Sequence, residues 1–300
     1  MKKKILAFIV AGIILSFLSP GQARSEQTQK LRLVTTIFPL TELVRAVSAD
    51  RTEIFQLIPT SAEIHTFQLR PGDLKTLVEA DLLICVGGHL EPWLAKVEKT
   101  LVKKKTRKIS FFDYLNSINY QGLRPGDPHL WLDLEADRLF IKRLSEELIA
   151  LDPSGAESYK SRSQELVDKL MALDQAYQKS LSRCSQKDLI IAGHQAFGYL
   201  ASRYGLQQIA LTGSNPEAQP SPQRLQEIVK MIRSRRLTAI FCESSTPPAY
   251  AQAIARETGV KLYELSTGVN LTRSEIEIKI GFLELMKRNL DILKKGLSCE

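Results

Sequence analysis

From Tyr159 to Leu181 one apolar face runs unbroken: Tyr159, Leu166, Leu170, Leu173, Tyr177 and Leu181 recur at spacings of seven, four, three, four and four. That is helical periodicity held for about six turns at 3.6 residues each. Asp152 and Pro153 stand just before it as a cap and a first-turn proline. A rigid rod of that length, placed mid-chain with no Gly/Ser-rich or proline-rich linker beside it, divides the sequence into two halves and limits their relative motion. Each half alternates short apolar runs with longer amphipathic stretches, the pattern of α/β units. The predicted strands are 31–35, 53–57, 82–86 and 108–111, then 189–192, 207–211, 239–242 and 261–264. Predicted helices cover 40–48, 71–79 and 90–102, then 196–204, 222–233, 248–258 and a final 274–295. The predicted fold is two similar α/β lobes with parallel sheets joined by one long helix. The segments are a lobe at 24–150, the connecting helix at 151–183 and a lobe at 184–300.

Residues 1–23 are predicted to be a cleaved signal peptide. Lys2, Lys3 and Lys4 precede an uncharged run of 14 residues, Ile5 to Leu18, and small residues lead up to Ala23. The run is shorter than the ~20 residues that span a bilayer. A soluble periplasmic protein is expected. Without that segment, 38 basic against 33 acidic residues leave a formal charge of +5. The basic runs, Lys103–Lys105 and Arg233–Arg236, carry no interleaved aromatics, so nucleic acid is not an expected partner. The cysteines Cys85, Cys184, Cys242 and Cys299 form no C-x-x-C pair, which excludes a cysteine metal knuckle. In an oxidising compartment a Cys242–Cys299 bridge would pin the C-terminal tail.

The chain has four histidines, and three lie in dense local signatures: His65, His129 and His194. Neutral imidazole suits zinc, which takes four donors in a tetrahedron. Donors this far apart meet only if the whole fold is the clamp. In open parallel sheets ligands collect beyond the carboxyl ends of strands. His65 and His194 follow predicted strands, as do Glu243 and Ser266, and His129 enters the connection between lobes. A cleft between the lobes would gather them.

Four segments carry a resemblance: His65–Asp73 (HTFQLRPGD), Gly87–Trp93 (GGHLEPW), Asp127–Asp133 (DPHLWLD) and His194–Gly205 (HQAFGYLASRYG). With Glu243 and Met286–Asn289 they resemble, in order, the metal-binding solute receptors of zinc and manganese ABC importers, the ZnuA-like group. The resemblance implies two α/β lobes joined by a helix, with His65, His129 and His194 as metal ligands in the cleft. It implies a monomeric binding protein, not an enzyme, that carries Zn2+ as cargo for zinc transport. Its partner would be an inner-membrane permease with its ATPase. Manganese receptors of the group carry a carboxylate at the third position, which suits a harder cation, so His194 favours zinc over Mn2+. Where the group usually has an aspartate, this chain has Ser266; Glu243 or water then completes the shell, with Glu63 a further carboxylate nearby. The stretch 116–126 contains no histidine, so the His-rich loop of many zinc receptors is missing. Asp127 and Asp133 are expected to hydrogen-bond ring nitrogens. Trp131 and Phe197 are expected as apolar walls, Asp73 as a helix-start cap, and His89 as a residue that supports the ligands from behind or simply packs. The alternatives are a receptor for another divalent metal, a surface adhesin or metal-sensor subunit, or a zinc hydrolase with Glu63 or Glu243 as base. The hydrolase lacks any H-E-x-x-H support.

Overall fold

The computed structural model describes residues 30–243 and 249–299; the predicted signal peptide lies outside them. Each lobe is built on four parallel strands. The first sheet contains β1 (Leu31–Thr35), β2 (Thr52–Gln56), β3 (Leu82–Cys85) and β4 (Arg107–Ser110), in the order β2-β1-β3-β4. The second contains β5 (Asp188–Ile191), β6 (Gln207–Ala210), β7 (Ala239–Glu243) and β8 (Lys261–Leu265), in the order β6-β5-β7-β8. The two orders are the same plan repeated. All pairings are parallel, so helices must cover both faces, and the central strands read as continuous apolar runs. All of β3 (LLIC) is buried. The strand order reverses between β1 and β3, and again between β5 and β7. Those reversals open a crevice beyond the strands' carboxyl ends.

The covering helices are α1 (Phe38–Ser48), α2 (Pro71–Val78), α3 (Leu94–Lys104), α4 (Phe111–Ser117) and α5 (Leu134–Leu151). After the 27-residue α6 (Ala156–Ser182) come α7 (Gly198–Arg203), α8 (Pro222–Ser234), α9 (Ala249–Thr258), α10 (Arg273–Glu277) and α11 (Phe282–Gly296). At 1.5 Å per residue α6 is about 40 Å long, enough to reach from one lobe to the other. It buries every member of the predicted face, Tyr159 through Leu181. Pro153–Gly155 form a separate 3-10 turn ahead of it. Arg51 and the Tyr159 hydroxyl both bond Asp152 there, at 2.7 and 2.8 Å, tying the rod's start to the first lobe.

Four expectations need correction. Helix α5 goes unpredicted, although Leu134, Phe140, Ile141, Leu144 and Leu148 are buried on it; Asp137, Ser145 and Glu147 are buried too and blur the apolar stripe. α6 is therefore one arm of an α5–α6 hairpin rather than a lone strut. The single final helix is two. A Thr272–Glu275 capping box starts α10, and the chain turns through Lys279 (φ 50°) to Gly281, the N-cap of α11. Phe111–Ser117, read in part as strand, is α4, with the Ser110 hydroxyl accepting from the Asp113 amide. The disulfide joins Cys184 to Cys299, leaving Cys85 and Cys242 as buried free thiols. The tail runs beside residues 184–186, where Ser185 and Gln186 amides donate to Ser298 and Leu297 carbonyls. That is the end of the sheet where β5 begins; Cys242 sits at the other end, near the close of β7.

One buried apolar cluster runs through the first lobe, α5, α6 and α11 into the second lobe, reaching Leu189 and Phe241. A smaller one, with Ile190, Ile240 and Cys242, fills the other face of the second sheet under α8 and α9.

Candidate metal centre

The three signature histidines meet in the crevice between the lobes. One ring nitrogen from each lies within 4.8 Å of those of the other two. The ring centroids form a nearly equilateral triangle with sides of 5.2, 5.4 and 5.5 Å.

Each ring arrives differently. His65 sits half-buried on the loop after β2, anchored by buried Ile64, and its backbone amide donates to Glu63 Oε1 at 2.9 Å. His129 is buried at the head of a 3-10 turn, Leu130–Leu132. Asp127 Oδ1 accepts both its backbone amide (3.0 Å) and its Nδ1–H (2.8 Å), a turn an Asp two residues upstream makes readily. His194 follows β5 directly and is buried; its Nδ1 lies 3.2 Å from Glu243 Oε2, at the end of β7. A carboxylate accepts and does not donate, so both Nδ1 atoms carry the proton and both Nε2 atoms present lone pairs. Those two Nε2 atoms stand 3.4 Å apart. Zinc–nitrogen bonds of 2.0–2.1 Å in a tetrahedron require about 3.3–3.4 Å between donors.

Electrostatics separate the histidines. Burial, then the neighbouring His129 and His194, push the His65 imidazole down to about 4, so it is neutral at ordinary pH. Burial also works against charge on His194, but the hydrogen bond and charge of Glu243, with Glu63 and Asp127, outweigh it and raise its pKa. Glu243 is held below the ordinary carboxylate range: burial would raise it, but the His194 hydrogen bond, the His194 and His129 charges and the Thr267 hydroxyl prevail.

Of the other expected residues, Asp127 meets its ring nitrogen and Asp133 does not. Asp133 accepts from the Tyr120 hydroxyl at 2.6 Å and caps α5. Trp131 and Phe197 are fully buried, and the Trp131 ring centroid lies 5.3 Å from that of His129. Asp73 caps α2 by accepting the Arg70 amide at 2.7 Å. His89 is exposed, not a packing residue, because its turn projects beyond β3 into solvent.

Ser266 is buried, and its hydroxyl accepts the Gly268 amide at 3.1 Å. A residue without an assigned role holds it there. Buried Asn289 on α11 accepts from the Ser266 amide (2.9 Å) and donates to the Ser266 carbonyl (2.7 Å). Trp131 Nε1 donates to the next carbonyl, Thr267, at 2.7 Å. The signal for Asn289 was an amide between Met286, Leu290 and Leu293 on an otherwise apolar face.

Among the described residues no helix is long and apolar enough to cross a membrane. The family model described as zinc-uptake complex component A, periplasmic (ZnuA), matches residues 33–296. The chain is 27% identical to the high-affinity zinc uptake system protein ZnuA of Bacillus subtilis strain 168, over 97% of this chain and 96% of that one. It is 28% identical to the zinc-binding lipoprotein AdcA of Streptococcus pneumoniae, covering 98% of this chain but 61% of the relative's length. Among solved structures, the Zn(II)-bound ZnuA-like domain of Streptococcus pneumoniae AdcA superposes with a TM-score of 0.79 at 29% identity, covering 90% of this chain and 99% of that one.

Proposed function

Because this chain belongs to the ZnuA family of zinc-uptake components, we propose that it is the zinc-binding solute receptor of an ABC importer. In this reading it captures zinc outside the cytoplasm and hands it to a permease driven by an ATPase. His65, His129 and His194 are the protein ligands, and water is the fourth. The observation that carries the reading is the convergence of three imidazole nitrogens within 4.8 Å, with two at the separation tetrahedral zinc requires. Three nitrogen donors with no carboxylate in the cluster favour zinc over manganese. Glu243 bonds the far nitrogen of His194, so its role is to orient that ring rather than to ligate. The same position, behind the ring, argues against Glu243 as the base of a hydrolytic zinc site. The reading includes a cleaved signal peptide at 1–23, a periplasmic monomer, and lobes at 24–150 and 184–300 braced by 151–183.

Nanomolar capture requires about −12 kcal/mol. The test is a competition titration of metal-stripped protein with zinc and with manganese, beside His194→Ala. One-to-one zinc binding that the variant weakens by orders of magnitude is expected; a manganese preference would overturn the cargo assignment. N-terminal sequencing of exported protein should begin at Arg24.

A further inference from the structure

Both Nδ1–H groups are spent on carboxylates, so when both rings are neutral, the form that takes a metal, the Nε2 atoms of His129 and His194 face each other lone pair to lone pair at 3.4 Å. With no cation between them that contact is repulsive, and the rings stay only if the backbone segments behind them are held. A single arginine grips those segments. Arg203 is the last residue of α7, the helix that the His194 segment leads into. Its Nε and Nη2 donate to the two carboxylate oxygens of Asp174 on α6, both at 2.6 Å. Its Nη1 lies 3.5 Å from Oδ1 of Asp133, four residues after His129, and its Nη2 lies 3.8 Å from Glu135. The carboxylates are braced from behind: the Tyr204 hydroxyl donates to Asp174 at 2.7 Å, and the Tyr120 hydroxyl to Asp133 at 2.6 Å. Arg203 and Asp174 side chains are each 18% exposed and Asp133 is 4% exposed, so solvent screens this network weakly.

We infer that Arg203 is a positioning residue that sets the His129–His194 spacing by tying α7, the start of α5 and the connecting helix to one planar guanidinium. The inference rests on the receptor reading above. Lysine keeps the charge but cannot make the two parallel bonds to Asp174, so the role belongs to the fork and not to the charge alone.

The test uses the metal-stripped protein as wild type, Arg203→Gln, Arg203→Lys and Arg235→Gln. Arg235 is an exposed control whose ion pair with Asp188 lies where β5 begins, at the far end from His194. Zinc affinity is read by competition, and site geometry by the visible absorption of the Co2+-loaded protein, which a purely structural role would leave unchanged. Arg203→Gln is expected to weaken zinc binding roughly 10- to 100-fold and to lose the intensity of the tetrahedral cobalt bands. Arg203→Lys should fall between, and Arg235→Gln should match wild type. Wild-type affinity with an unchanged cobalt spectrum in Arg203→Gln overturns the inference while leaving the receptor reading intact. If Arg203→Gln does not fold, Arg203→Lys decides by the same spectral criterion. A wild type that binds no zinc overturns the receptor reading, and this inference with it.

Discussion

His194 and Glu243 share one proton-bearing hydrogen bond, and it sets how zinc competes with acid. The His194 pKa is raised, so in the metal-free protein a second proton, on the Nε2 that faces the metal position, persists to a higher pH than a free imidazole would allow. Zinc must displace that proton. Affinity should therefore fall as pH drops, beginning above the ordinary imidazole value of about 6.5. His65, held near 4, is already deprotonated there and adds its own loss only at much lower pH. Replacing Glu243 with glutamine removes the charge that raises His194, so the onset should move to lower pH. The poorer orienting partner should still cost roughly 10-fold or more in affinity at neutral pH. Titrations from pH 5 to 8 measure both effects; an onset that Glu243→Gln leaves in place would refute the link.

At the scale of elements, the Cys184–Cys299 bridge closes a loop of sequence separation 115 around the entire second sheet. Loop-closure entropy alone gives about 4.7 kcal/mol for a ~100-residue loop. Cys299→Ser should lower unfolding stability by roughly 2–5 kcal/mol in a denaturant titration, with little effect on the site at the other end of the strands. In unfolded, unreduced protein two thiols should react, those of Cys85 and Cys242, and four after reduction. Four reacting without reductant would mean the bridge does not form. The α10–α11 break illustrates how local chemistry divides a helix that apolar spacing alone would run together: Gly281 is a weak helix former, and the chain turns back through a residue with positive φ.

For the molecule as a whole, a core continuous through both lobes and α6 predicts one cooperative unfolding transition rather than two. Calorimetry of the metal-free protein would show it; two separated transitions would mean the lobes unfold independently. In the receptor reading zinc binds only the assembled cleft. At a hundredfold excess over Kd it should add about 2.7 kcal/mol, which for a protein of this size raises the melting temperature by roughly 5–10 °C. His65→Ala should lose most of that increment without lowering the metal-free melting temperature, since its ring sits half-exposed on a loop.

Much of this protein was legible in its sequence, because strands, helices and the face of α6 are written in local periodicity that backbone geometry enforces residue by residue. The convergence of the three histidines was legible too, since each sits in its own dense signature segment. Helix α5 was obscured because Asp137, Ser145 and Glu147 occupy its buried face, a pattern that makes sense only beside its packing partners. Tertiary structure alone decided which cysteines pair, that Glu243 meets the back of His194, and that Asn289 and Trp131 hold the Ser266–Thr267 backbone. These are contacts between residues far apart in sequence, and no local periodicity specifies which distant partners the folded chain will bring within hydrogen-bonding distance.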